Sequence, residues 1–354
     1  MLKKVLIFSL LALQNIVFAD GKPFSSLQKK EPMRIGDAQA ALSEKIKLAD
    51  KRVKLMERTL NSTAKQYADA KLAFALVQGE NLLFLRDDFA DEYLPLGRSS
   101  RAILSLAIGA MESCGMLDSS RPARDYSPLF RVPNKTLESK ISLRDLYAMR
   151  AGIASKYDEL FDTSRPPQAV FDAIYMADPN AYGTFQESAL SVSAAAYIVA
   201  MRFDSSEENL NTAYFNVLKK FILQPLKIKG ALAVKMPFPA DRGVALNIRG
   251  IAAWLSCETS FGRGVGENQV TDADLLDARY ELFEGEKRSS AFTKLTLEGM
   301  EFFASADDIF GASHIVIINR HTRTGFAVFA KGADKTLCMS LAAEYARLLS
   351  EAVK

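Results

Sequence analysis

At 354 residues, 49% apolar and 25% charged, the chain has the composition of a globular protein of one large or two interleaved domains. Its net charge of +3 includes Lys3 and Lys4, so the rest carries about +1 and gives no electrostatic footing for nucleic acid. His314 and His321 are the only histidines and no metal-ligand spacing occurs, which argues against a metal centre and a histidine-based triad.

Residues 1–19 read as a secretory signal peptide: Lys3-Lys4, an apolar run from Val5 to Phe18, and Val17-Phe18-Ala19 with small residues at the two cleavage-determining positions. The run is short for a bilayer span and is interrupted by Gln14 and Asn15. Cleavage is expected after Ala19. No Cys follows that would mark a lipoprotein, so the expected location is the bacterial periplasm or the outside.

Residues 20–36 are polar and expected to form a flexible segment; the domain proper is expected from 37 to 354. From Asp37 to about Lys71, apolar residues recur at helical spacing (Ala41, Leu42, Ile46, Leu48, Val53, Leu55, Met56, Leu60), the pattern of an amphipathic helix. Leu72–Gln78 and Leu82–Arg86 flank the turn Gly79-Glu80-Asn81 and predict a hairpin. Residues 98–257 read as mainly helical, with Pro122, Pro128, Pro133, Pro166, Pro167 and Pro179 marking loops. Strand character returns at Ser313–Asn319 and Phe326–Lys331, and a helix is predicted from about Asp334 to Ala352. Cys114, Cys257 and Cys338, an odd number in an exported chain, each lie in apolar helical surroundings, where cysteine packs as a small hydrophobe.

One helix start has a recognisable frame. Leu96-Gly97-Arg98-Ser99-Ser100-Arg101 opens an apolar segment with Gly109 at mid-length and Gly115-Met116-Leu117-Asp118 at its end. It resembles the helix that opens the active site of serine beta-lactamases, penicillin-binding proteins and related esterases and amide hydrolases. There S-x-x-K is followed by a mid-helix Gly and G-x-L-D. Three further segments follow in family order: Ile141–Ile153, similar to a conserved-type "itlrdLLtMtSGl" stretch; Leu210–Gly230, with Gln224-Pro225-Leu226; and Gly243–Trp254. The nearest resemblance is to class C beta-lactamase-like serine hydrolases, including those that resemble 6-aminohexanoate-dimer hydrolase. It implies an α/β (α+β) fold. An antiparallel sheet is built from both chain ends (37–97 and 258–354) and flanked by helices, with a mainly helical lobe (98–257) inserted.

In that family a Ser made nucleophilic by a Lys one turn later carries acyl transfer, aided by a Tyr from Y-x-N and a K-T-G strand. Here Arg98 stands at the nucleophile and Arg101 at the Lys. Arg98 has no nucleophilic oxygen, and a guanidinium does not serve as a base near neutral pH. Ser99 lies one residue, about 100° of helix, off the reactive axis, and the plainer role of Ser99 and Ser100 is N-capping. In the segment Gly183–Ala189, Glu187 replaces the Tyr and Ala189 the Asn. Glu187 either acts as a base or, by preference, pairs with Arg98 or Arg101, since guanidinium groups in a cleft need a counter-charge. Counting from Phe310-Gly311 puts the K-T-G equivalent near Phe303-Ala304-Ser305, followed by Asp307 and Asp308 where Gly-rich sequence is usual. Arg323-Thr324-Gly325 imitates K-T-G but is better placed as a strand-to-strand turn. Ser62–Lys65 and Ser26–Lys29 match S-x-x-K only by letters. Gly262–Gly266 reads as a surface loop.

Losing nucleophile, base and Tyr together leaves little of the roughly 10⁶-fold that such cooperative groups supply. The resemblance therefore implies a catalytically inactive, exported module that needs no cofactor. It would bind an envelope protein partner or a carboxylate-bearing small molecule or peptide at Arg98, Arg101, Glu187 and Ser305. The alternative is a hydrolase with relocated residues, Ser99 or Ser188 as nucleophile and Glu187 as base. A further possibility is a structural role, with helix 37–71 docking in an envelope assembly. No membrane-integral part is expected after signal cleavage.

Overall fold

The structure is a computed structural model describing residues 48–67, 70–160, 169–177, 179–205, 210–233, 239–264, 268–333 and 335–353. The signal-peptide and flexible-segment expectations, and Ser26–Lys29, lie outside these residues. The first described helix, α1 (Asp50–Lys65), buries Met56, Leu60 and Ala64. It ends six residues earlier than the periodicity suggests, and the expected turns before residue 48 lie outside the described part.

Six strands form one antiparallel sheet: β1 (Lys71–Gln78), β2 (Asn81–Asp87), and, from the far end of the chain, β6 (Thr293–Leu297), β7 (Met300–Ile309), β8 (Ala312–Asn319) and β9 (Thr324–Lys331). Their spatial order is β2-β1-β9-β8-β7-β6. A small second sheet orders β3 (Leu94–Pro95), β5 (Val244–Leu246) and β4 (Leu232–Ala233) as β3-β5-β4. The central strands are apolar on both faces because two cores meet them. Ala73, Ala75 and Val77 of β1, with Val316, Ile318, Ala327 and Phe329, join the core shared with the helical segment. Leu72, Phe74, Leu76, Ile315, Ile317, Phe326 and Val328 join a second core under α1 and the C-terminal helix.

The principal helices between the two parts of the sheet are α2 (Ser100–Ser113), α3 (Leu143–Tyr147), α4 (Ala169–Ala177), α5 (Ala189–Phe203), α6 (Leu210–Leu218), α7 (Pro239–Arg242), α8 (Ile248–Thr259) and α9 (Ala273–Ala278). The last element is α10 (Lys335–Val353). α2 is buried from Ser100 to Met111, as a helix apolar on every side must be. Cys257 and Cys338 are buried thiols, but Cys114 is exposed just past the end of α2, so its helical context does not make it a core residue.

A polar knot fixes where α2 starts. Glu258, fully buried near the end of α8, accepts from Trp254 Nε1 (2.8 Å), Tyr280 Oη (2.7 Å) and both terminal nitrogens of Arg279 (2.8 and 2.9 Å). The same Arg279 donates to the Ala102 carbonyl and Ser105 Oγ, both at 2.9 Å. The first turns of α2 are thereby tied to α8 through a desolvated guanidinium. Breaking such a pair strands a buried charge, so Glu258→Ala should cost about 3–5 kcal/mol of folding stability, read from urea denaturation.

Candidate functional site

The chain enters α2 through a 3₁₀ turn, Gly97–Ser99. Gly97 has φ +46, and a Cβ there would sit 2.6 Å from Asp307 Oδ2, so both backbone and space demand glycine. Asp307, on β7, presses its carboxylate against this turn. Its oxygens accept from the Arg98 N–H (3.0 Å) and the Asp308 N–H (3.1 Å). The Arg98 N–H thus meets negative charge where a helix start favours it, supplied by the protein's own carboxylate, whereas the Asp308 N–H is the local donor of the next residue on β7.

Ser99 and Ser100 do not cap the helix. Ser99 is fully buried, with Oγ 2.9 Å from Ser305 Oγ and 3.0 Å from His314 Nε2. Ser100 Oγ accepts the Val244 N–H at 3.1 Å, tying α2 to β5. His314, on β8, stacks on Phe329 with ring centroids 4.8 Å apart. Burial pushes its pKa down to about 4, against the opposing pull of Asp307 and Asp308. The sequence offers no sign of the Ser99–His314 contact, which links residues 215 positions apart.

Arg98 and Arg101 share Glu187, at 2.8 and 3.3 Å. Arg101 is buried and also meets Asp241 Oδ1 at 2.5 Å. Arg242, beside it on α7, lies 3.7 Å from Glu187, 3.4 Å from Asp241 and 3.8 Å from Asp307. Three guanidinium groups and three carboxylates thus alternate across the cleft floor. Burial works to raise the Glu187 pKa, but Arg101 and Arg98 outweigh it and hold the carboxyl below its usual value. For Arg101, desolvation disfavours the charge, but Asp241 and Glu187 overcome it and raise the pKa further. Neither group suits proton abstraction: the carboxylate is held by cations, and the guanidinium stays protonated. Asp241 and Arg242 gave no sequence signal of a role here.

Ser188 is the N-cap of α5. It accepts the Ser191 N–H (3.1 Å) and donates to Asp158 Oδ1 (3.0 Å), so its hydroxyl serves a buried cap rather than Glu187. Among the described residues no serine hydroxyl is hydrogen-bonded to Glu187, which corrects the pairing expected of a relocated hydrolase. Arg323 lies in the β8–β9 turn at φ +55, and Thr324 and Gly325 open β9; none of the three lines the cleft. Ser62–Lys65 lies on α1, likewise outside it. Ser305 and Asp307, two residues apart on β7, face the start of α2. Phe303 packs edge-on to Tyr280 instead (4.9 Å), so the site-facing register begins at Ser305.

Above the floor lies a cleft of about 280 Å³ lined by Arg98, Arg101, Ser305, Met149, Phe185 and the segment 288–293. Arg288 sits 4.1 Å over the Phe185 ring. Among the described residues no carboxylate lies within ion-pair distance of it.

No family model matches the chain, and no curated protein matches it by sequence. Solved structures do. A beta-lactamase/D-alanine carboxypeptidase from Pseudomonas syringae superposes with a TM-score of 0.66 at 12% identity, covering 83% of this chain and 99% of that one. A class C beta-lactamase from Rhodobacter sphaeroides gives 0.63 at 14%, covering 84% and 98%. An octameric penicillin-binding protein homologue from Pyrococcus abyssi gives 0.60 at 14%, covering 85% and 79%. The chain has the serine beta-lactamase/penicillin-binding-protein fold, as the order of its sequence segments implied.

Two measurements probe this floor. Arg101→Ala leaves Asp241 buried with Arg242 alone and should cost about 3 kcal/mol, whereas Arg101→Met with Asp241→Leu should recover most of it in a double-mutant cycle. His314 is held neutral in the fold, so between pH 6.5 and about 4 the unfolded chain takes a proton that the folded one refuses. Its contribution is complete above pH 6.5 and lost on acidification through that window. Roughly 3 kcal/mol of stability should disappear with it, and His314→Gln should flatten that part of the pH–stability curve.

Proposed function

We propose that this chain is an exported binding module on the serine beta-lactamase/penicillin-binding-protein fold, holding a carboxylate-bearing small molecule or peptide and forming no acyl-enzyme. The observation that carries this reading is Asp307. Acyl transfer requires backbone donors free to receive the charge that develops on the carbonyl oxygen. At the start of α2 the Arg98 N–H already holds the Asp307 carboxylate at 3.0 Å. The arginines at the nucleophile and base positions, and the cation-held Glu187, point the same way.

The lining favours an anion. On the floor, Arg98, Arg101 and Arg242 are matched by Glu187, Asp241 and Asp307, so the uncompensated charge belongs to Arg288, steadied on Phe185. A guanidinium there can grip both oxygens of a carboxylate. A space of about 280 Å³ suits a small ligand or a peptide end, not a protein face. Export rests on the signal-like segment 1–19.

One observation favours a second reading, a serine hydrolase. Ser305 lines the cleft and its hydroxyl connects through Ser99 to His314, a path along which a proton could pass. Against it stands the imidazole itself, a weak base with its pKa near 4.

Intact mass of the protein purified from the envelope of a bacterial host separates the two, after exposure to a penicillin and, separately, a fluorophosphonate. The expected spectrum begins at Asp20 and shows no adduct. An adduct absent from Ser305→Ala, Ser99→Ala or Ser188→Ala would establish a nucleophile and overturn the binding-only reading; retention of residues 1–19 would overturn export. In titration calorimetry, N-acetylated peptide acids should bind at least tenfold tighter than their amides, and Arg288→Ala should remove that preference.

A further inference from the structure

The cleft does not end at the ion network. β6 pairs with β7 only as far as Thr293 opposite Ala304, whereas β7 continues to Ile309 with β8 alone beside it. Past Ala304, therefore, β7 has an unpaired side, and the cavity rounds it. On the near face the lining is Arg98, Arg101 and Ser305; on the far face it is Leu295, Ala304, Ile315 and Met339. Those four belong to the other core, the one under α10. A single space thus joins a polar mouth, where Arg288 holds the uncompensated charge, to an end lined by apolar side chains.

We infer that the ligand is an amphipathic carboxylate: an anionic head at Arg288 and Ser305, and an unbranched apolar chain that bends round β7 to end against Met339. This deepens the reading of the cleft as a carboxylate site and rests on it. The free edge of β7 could pair with one stretch of peptide backbone, but beyond that edge the lining side chains Leu295, Ala304, Ile315 and Met339 carry no hydrogen-bonding group, so a peptide reaching the far end would lose its bonds to water there whereas a hydrocarbon chain loses none. Met339 and Leu295 are half-buried at that end, and methionine adapts its shape to an alkyl chain at little cost. The cleft volume equals that of about nine liquid water molecules, room for a carboxylate with about six to eight carbons in all.

The test is calorimetric titration of the mature protein with straight-chain carboxylates from butanoate to tetradecanoate, beside the alcohols of matching length and one N-acetylated peptide acid. Affinity should rise about fourfold per methylene and level off near octanoate, the signature of a chain filling a bounded space. Alcohols should bind at least tenfold more weakly at every length. Met339→Phe should move the plateau to a shorter chain and leave butanoate binding unchanged; Leu295→Phe serves the same purpose if that variant does not fold. If butanoate and the peptide acid bind but added methylenes change nothing, the chain-binding inference fails and the carboxylate reading stands. If affinity climbs through tetradecanoate identically in wild type and variant, the chains adsorb to surface and the inference fails. If no carboxylate or peptide binds, both readings fall together.

Discussion

The buried Arg279–Glu258 pair is the interaction on which the rest of the site depends. Its guanidinium reaches both a carboxylate of α8 and a carbonyl of α2, so the register of α2 is set by groups with no access to water. A charge pair in that position is expensive to desolvate and gains little net stability, but its geometry permits few alternatives. With α2 so placed, Ser99 meets Ser305 of β7 and His314 of β8, Ser100 meets β5, and Arg101 meets Asp241 of α7 as well as Glu187. Arg98 at the open end is then carried to the mouth of the cleft.

The cleft floor is organised by charge pairing. Arg98 and Arg101 bring two guanidinium groups to one turn, the second of them buried, and a buried guanidinium needs a carboxylate beside it. Glu187, Asp241 and Asp307 supply the carboxylates from three separate elements. The outcome is a floor near formal neutrality in which each charge is held by neighbours, unlike a site in which one poised group must gain or lose a proton at neutral pH.

Much of the fold was legible in the sequence because it is written in local patterns. The β1–β2 hairpin follows from two apolar runs around Gly79. The β8 and β9 strands follow from Ile- and Phe-rich runs, and α2 from its frame of Gly109 and Gly115. Arg98 and Arg101 were found by position within that frame, and Glu187 by its place in the segment Gly183–Ala189. What remained hidden was the partnering of residues far apart in the chain. Asp241 meets Arg101 across 140 positions, His314 meets Ser99 across 215, and Arg279 meets Ala102 across 177. None of these side chains differs by type or spacing from a solvated one. The β7 strand was read only through a motif position, since Ala-Ser-Ala-Asp-Asp lacks the β-branched content that marks strands, and its pairing on β8 overrides that local preference. Cys114 was misplaced for the converse reason: its neighbours are apolar, but the helix ends at Ser113 and the thiol falls beyond the buried stretch.

Asp307 has a consequence for how any anion competes at the start of α2. Its carboxylate is delivered by a rigid strand, so it faces the Arg98 amide at an effective concentration well above the millimolar range typical of a short flexible tether. A free carboxylate or phosphate in the surrounding medium is dilute by comparison and reaches that amide only by displacing the carboxylate already there. The amide at the helix start is therefore satisfied from within the protein. Any selectivity of the proposed carboxylate site would then rest on side chains, Arg288, Ser305 and Met339, set above a backbone that the strand itself holds closed.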